Sequence, residues 1–232
     1  MLTDIFSALD PATNSFMTTQ FTSTLMWLFN FLFIFLLSSS FWITPNRLST
    51  LTSNVASTLY YQSTRTSGNL MKSFPSMISS LFIIIILMNL HGLIPYSFSI
   101  TSHLIFTLTL GLSLWFAILL SSMMYKPMKF MGSLLPGGAP DWLNPALVII
   151  ETISIMVRPI TLSFRLAANM SAGHIVLSLM GIYTASALFS STLAASTLLI
   201  TQMGYMMFEV GICLIQAYIF TLLLTLYADD HS

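Results

Sequence analysis

Three charged side chains recur every seventh residue through an otherwise apolar run: Glu151, Arg158 and Arg165. Seven steps of 100° return to within about 20° of the start, so on a helix the three stand along one line. Asn144 and Asn169 fall within about 40° of that line. His174 lies about 180° from Arg165 and therefore addresses a different compartment. A second run repeats the device, with Gln202, Glu209 and Gln216 again seven apart.

The side-chain types limit the chemistry. Glu and His take up and release protons once burial tunes them. Arg cannot, because its guanidinium stays protonated. An arginine in a proton path therefore bars a direct leak, or serves as counter-ion to a mobile carboxylate. No cluster of hard oxygen ligands for Na⁺ or Ca²⁺ accompanies these groups, and no metal site is expected. One alternative is that Glu151 and Glu209 neutralise Arg158 and Arg165 in salt bridges that glue two helices together. Ionisable residues in series across a bilayer mark an ion path instead.

The elements that must hold these residues are membrane helices. Of 232 residues, 56% are hydrophobic and 6% charged, against about 25% charged in a soluble domain. Such a chain has too little polar surface for a water-soluble globule. The formal charge of zero gives no reason to expect a nucleic-acid partner. The lone Cys213 cannot form an internal disulfide and reads as a small core residue. The N-terminus MLTDIFSALDPATN lacks the pattern of a signal or transit peptide. The expected class is an all-α integral membrane protein with about five membrane-embedded helices, residues 1–232 forming a single membrane domain.

Spans are expected over 21–43, 76–94 and 102–124. Between the first two, residues 44–74 are rich in Ser, Thr and Asn and read as a surface segment with one amphipathic helix. The Pro- and Gly-rich stretch 125–142 reads as a loop. Two longer apolar segments follow, 143–182 and 191–228, each about 55–60 Å long if wholly helical, near twice the hydrocarbon thickness. A steeply tilted helical hairpin accommodates them, with Pro159 a candidate kink. An antiparallel turn near residue 191 sets Arg165 level with Gln216 and His174 level with Glu209. Arg47, Arg65, Lys72, Lys126 and Lys129 all fall in loops on one side, which that excess of basic residues marks as inside; the N-terminus lies outside. Many Met (16) and few Lys are compatible with organellar coding.

At these residues the chain resembles subunit a of the F-type ATP synthase in its animal mitochondrial form. The likeness rests on IIETISIMVRPITLSFRLAANMSAGH (149–174) and FEVGICLIQAYIFTLLLTLY (208–227). NLHGLIPYSF (89–98) and LLPGGAPDWLNPALVIIE (134–151) add to it, and it covers nearly the whole chain in the expected order. The resemblance implies a non-catalytic stator subunit of the F0 sector, in the mitochondrial inner membrane, with its N-terminus toward the intermembrane space and its C-terminus toward the matrix. Its partners would be the c-ring, the peripheral stalk, other F0 membrane subunits and lipid. Two offset aqueous half-channels would reach the ring from opposite sides. Arg165 matches the essential arginine, His174 and Glu209 the intermembrane-space relay, and Glu151 the matrix-side exit. Gln216 matches the glutamine near the arginine, and Asn169 a polar channel residue. Arg158 and Gln202 would be supporting residues.

Three positions depart from the usual pattern: His91 in NLHGL, His103, and Ala167 in RLAAN. No cofactor is expected, and without a GxxxxGK[ST] motif the ATP chemistry would belong to other chains. Two rival readings remain at this point. One is a passive anchor whose charges only glue helices; the other is a stand-alone proton-coupled transporter, for which no inverted repeat is evident.

Overall fold

The computed structural model describes residues 28, 44, 47–66, 68, 71, 73–94, 99–125, 127–134 and 143–231. The span expected over 21–43 lies outside these apart from Leu28, as do Lys72 and Lys126. Among the described residues the regular structure is entirely helical. In chain order the elements are α1 (Arg47–Ser63), α2 (Phe74–Gly92), a 3-10 turn (Ile100–Ser102), α3 (Leu104–Tyr125), α4 (Pro127–Ser133), α5 (Asn144–Ser190) and α6 (Thr192–His231).

The chain is an all-α integral membrane protein. Four of its helices, α2, α3, α5 and α6, are long and apolar enough to cross a membrane. Backbone groups have no water to bond in hydrocarbon, so a spanning segment must satisfy them within itself, as a helix does. Large apolar side chains such as Ile105, Met124, Phe189 and Ile200 point outward on these helices. In water that surface would be a liability; in lipid it is solvated.

The core lies where α2, α5 and α6 meet under α1 and α3. It includes Leu59 of α1, Ile78 and Phe82 of α2, Ile118 of α3, Leu166 of α5, and Phe220 and Leu224 of α6. On α6 the buried Cys213, Gln216, Ala217, Phe220, Leu224 and Ala228 follow three- and four-residue steps, the face a helix turns to its neighbours. Small residues bring helices together. A Cβ added to Gly111 of α3 would already touch Ser163 Cβ at 3.5 Å and the Pro159 carbonyl of α5 at 3.6 Å.

Two local features differ from the sequence expectation. The stretch 125–142 is not wholly loop, since its first part folds as α4, where Pro127 occupies the first helical position and costs no hydrogen bond there. The first long helix runs to Ser190, eight residues past the expected end. Its last residues, YTASALFS, contain neither Gly nor Pro to stop it. Pro159, the candidate kink, lies inside the helix, which continues through it as expected. It is buried at the α3 contact, and the nearby Ser163 hydroxyl bonds the carbonyls of Pro159 and Ile160 at 3.0 and 2.9 Å.

Candidate proton path within the helical hairpin

The two long helices are separated by a single extended residue, Ser191 (φ −159°, ψ 138°). Contacts between them pair residues at similar distances from that point, so α5 and α6 run antiparallel. At 47 and 40 residues they measure about 70 and 60 Å. They are long enough to hold polar groups at several depths.

Nearest the open end of the hairpin, Arg158 Nη2 meets Glu151 Oε1 at 3.2 Å, two turns back along α5. The Arg158 guanidinium also lies 5.4 Å from the centre of the Tyr227 ring on α6, a distance at which a ring face attracts a cation. The heptad spacing alone brings Glu151 and Arg158 onto one face; α6 supplies the ring.

Deeper in the hairpin, Asn169 Nδ2 donates to Gln216 Oε1 at 3.0 Å. Gln216 is buried, and its own amide nitrogen has no hydrogen-bond partner among the described residues. Gln216 therefore pairs one helical turn beyond Arg165, the residue the antiparallel register had set level with it. Arg165 itself is exposed, near the middle of α5, with no salt bridge among the described residues. The wheel angle gives facing to within tens of degrees, but depth only to within a turn.

Closer to Ser191, Glu209 is 2% exposed. Its carboxylate lies directly on the backbone of α5 at Gly173. A Cβ built there would stand 2.5 Å from both carboxylate oxygens. Only glycine leaves that room. On α6, Tyr205 and Cys213 stand about one turn to either side of Glu209. The neighbouring His174 turns toward α2: its Nε2 lies 3.6 Å from where a Gly92 Cβ would be, and it has no hydrogen-bond partner among the described residues. Gln202 is half-buried on the same helix as Glu209, about two turns from it.

Sequence reasoning missed Gly173, Gly92 and Asn89. Gly173 precedes His174, but a residue with no side chain carries no chemical signal. Asn89 was visible as an amide inside an apolar run. It is fully buried in α2, and its carbonyl lies 4.0 Å from Cys213 Sγ. The described residues contain no group of three or more His, Cys, Asp or Glu that could hold a metal ion.

The assembled geometry sets polar groups at several depths of the apolar hairpin, with the buried Glu209 and the half-buried His174 on adjacent levels and the exposed Arg165 two to three turns further along α5. Carboxylate and imidazole side chains of this kind can take up and release protons. Comparison with known proteins adds a second, independent finding. The sequence matches the ATP synthase A chain family over residues 18–229. It is 41% identical over 233 residues to ATP synthase subunit a of Albinaria caerulea, with 100% of each chain covered. It is 37% identical over 231 residues to the protein of that name from Aedes albopictus, and 38% over 231 to that from Anopheles gambiae, each covering 99% of both chains.

Proposed function

We propose, from the premise that this chain belongs to the ATP synthase A chain family, a division of labour among its polar residues. The chain is a non-catalytic, proton-translocating membrane subunit of the F0 complex, a multi-pass protein of the mitochondrial inner membrane. In the finer reading residues 1–232 make one membrane domain that acts as stator against the rotating c-ring. Its N-terminus faces the intermembrane space and its C-terminus the matrix; the peripheral stalk and other F0 subunits hold it in place.

Protons reach His174 and Glu209 from the intermembrane-space side and pass to a ring carboxylate. They leave past Glu151 on the matrix side after nearly a full turn of the ring. Arg165 keeps the two half-channels apart and receives each deprotonated ring carboxylate as it passes. Asn169 and Gln216 hold the polar surface beside it, and Arg158 and Gln202 support the frame. A proton crossing the membrane releases about 2.3 kcal/mol per 100 mV. That work reaches the rotor only if no proton can go straight through.

One observation carries the reading. Arg165 stands exposed at mid-helix with no anion of its own chain among the described residues, while Glu209 is buried two to three turns away. A cation at the bilayer centre costs about 2.5–3.5 kcal/mol on insertion scales. If gluing helices were its task, Arg165 would be expected to find a partner across the hairpin, as Arg158 does in the Tyr227 ring. Left open on the outside of the hairpin, it suits an anion brought by another chain.

The test is reconstitution. The chain alone in lipid vesicles should conduct no protons, and F0 containing the ring should conduct them. Proton flux through the chain alone would favour a stand-alone transporter.

A further inference from the structure

Within three residues, α6 is tied to two other helices on nearly opposite sides. Gln216 accepts a hydrogen bond from Asn169 Nδ2 of α5 at 3.0 Å. Two residues on, the Tyr218 hydroxyl accepts one from Gln62 Nε2 of α1 at 2.9 Å. Two steps of 100° set the directions of Gln216 and Tyr218 about 200° apart. The second bond joins residues 156 apart in the chain. An antiparallel pairing that sets Asn169 opposite Gln216 sets Tyr218 opposite residue 167 of α5. That is about 3 Å along the axis from the level of Arg165. Tyr218 thus stands at nearly the depth of the permanent cation, on the side of α6 turned away from Asn169.

The anchor for this bond is built into α1. Gln62 lies in its last turn, between the buried Leu59 and Ser63. Leu59 joins the core with Ile78 of α2 and with Phe220 and Leu224 of α6, and α1 packs chiefly on α2. The turn that carries the amide is therefore fixed to the body of the protein. Toward α6 the fit is open. A cavity lies beside the bond, lined by its two residues and by Leu59, Ile78, Thr221 and Thr225. The hydroxyls of Thr221 and Thr225 donate to carbonyls of α6 itself, and that of Ser63 donates to Tyr60 within α1. Those protons stay within their own helices, so the bond across this gap falls to the Gln62 amide.

Two ties on opposite sides resist rotation of a helix about its axis. Side-chain ends lie about 5–6 Å from that axis, so each 10° of turn moves them by about 1 Å. A shift of that size takes the 3.0 Å bond between Asn169 and Gln216 out of hydrogen-bonding distance. With Tyr218 held as well, such a turn has to break both bonds.

We propose that Gln62 is a positioning residue for proton translocation: through Tyr218 it fixes the rotation of α6 and so keeps Gln216 against Asn169 beside Arg165. The proposal rests on the reading that places Gln216 and Arg165 at the proton path. It gives α1 a part in the work of the hairpin.

Gln62→Ala and Tyr218→Phe each remove this bond, the first from an exposed position and the second by loss of one oxygen. ATP synthesis at a fixed proton gradient is measured in vesicles holding the assembled complex. Both variants should assemble in normal amount and synthesise about threefold to tenfold more slowly, the factor that an interhelical hydrogen bond in a membrane carries. The double variant should be no slower than either single one, because all three lack the same bond. Wild-type rates in the two single variants overturn the proposal. If one of them fails to assemble, the other decides.

Gln216→Ala separates positioning from general stability. It should slow synthesis in the wild-type background and add little in the Gln62→Ala background, where Gln216 has already lost its place. A bond that only stabilises the fold leaves the Gln216→Ala effect the same in both backgrounds, and that result overturns the proposal too. A wild-type rate in Gln216→Ala itself sinks both the proposal and the assignment of Gln216 to the path. Slow synthesis in Gln216→Ala beside a wild-type rate in Gln62→Ala sinks the positioning role alone.

Discussion

A single methyl group at position 173 would occupy the space of the Glu209 carboxylate. Its Cβ would lie 2.5 Å from both oxygens and 2.6 Å from Cδ, about 1 Å short of ordinary van der Waals contact. Something must yield, and the far end of a flexible glutamate yields more readily than helix backbone. Overpacking of this kind costs about 1–3 kcal/mol. The lower end applies to Gly173→Ala, so the hairpin should fold and the complex assemble. Proton transfer is less forgiving, because misplacing a reacting group by about 1 Å costs up to about 10²-fold in rate. ATP synthesis driven by an imposed proton gradient in reconstituted vesicles should therefore fall by about one to two orders of magnitude at normal subunit content. Adding Glu209→Asp shortens the acid by one methylene and withdraws it from the new methyl, so the double variant should recover part of the loss. A Gly173→Ala complex synthesising at the wild-type rate would refute the reasoning. The carboxylate would then be either free to act from elsewhere or absent from the path.

Further outcomes follow from the same contacts. A double-mutant cycle on Asn169→Ala and Gln216→Ala, read from unfolding of the chain in mixed micelles, should give a coupling of about 0.6–1.7 kcal/mol, the range for interhelical hydrogen bonds in membranes. Zero coupling would mean that the 3.0 Å bond contributes nothing to holding the hairpin. Gly111→Ala should be tolerated, because its methyl meets Ser163 and Pro159 at ordinary contact distance, whereas Gly111→Leu should push α3 off α5 and lower complex yield on native gels. Arg158→Gln should lower the yield only slightly and leave the ATP made per proton unchanged. Both partners of its salt bridge are about a third exposed, and such pairs contribute at most about 1 kcal/mol.

The membrane class, the long helices and the polar line were legible because each rests on periodicity and composition, which one sequence carries in full. Glu151 and Arg158 lie seven apart, and that spacing alone predicts that they share a face. The opposite facing of Arg165 and His174 is also a wheel property. Depth was less legible. Whether Gln216 meets Arg165 or Asn169 depends on a shift of one turn, which the connection at Ser191 sets and no local pattern records. Gly173 was invisible for another reason: its role is the volume it leaves empty, and that shows only once α6 lies across it. α4 was missed because the prolines and glycines of 125–142 were read as loop formers, whereas Pro127 opens a helix.

The central claim is that a permanent cation at Arg165 couples proton passage to rotation. Its most direct test measures proton flux and ATP synthesis together in an assembled complex carrying Arg165→Gln. Complexes that assemble in normal amount but make no ATP under a proton gradient are the predicted result. Coupled synthesis at the wild-type ratio of ATP to protons would contradict it, as would failure to assemble with full coupling in whatever complex does form.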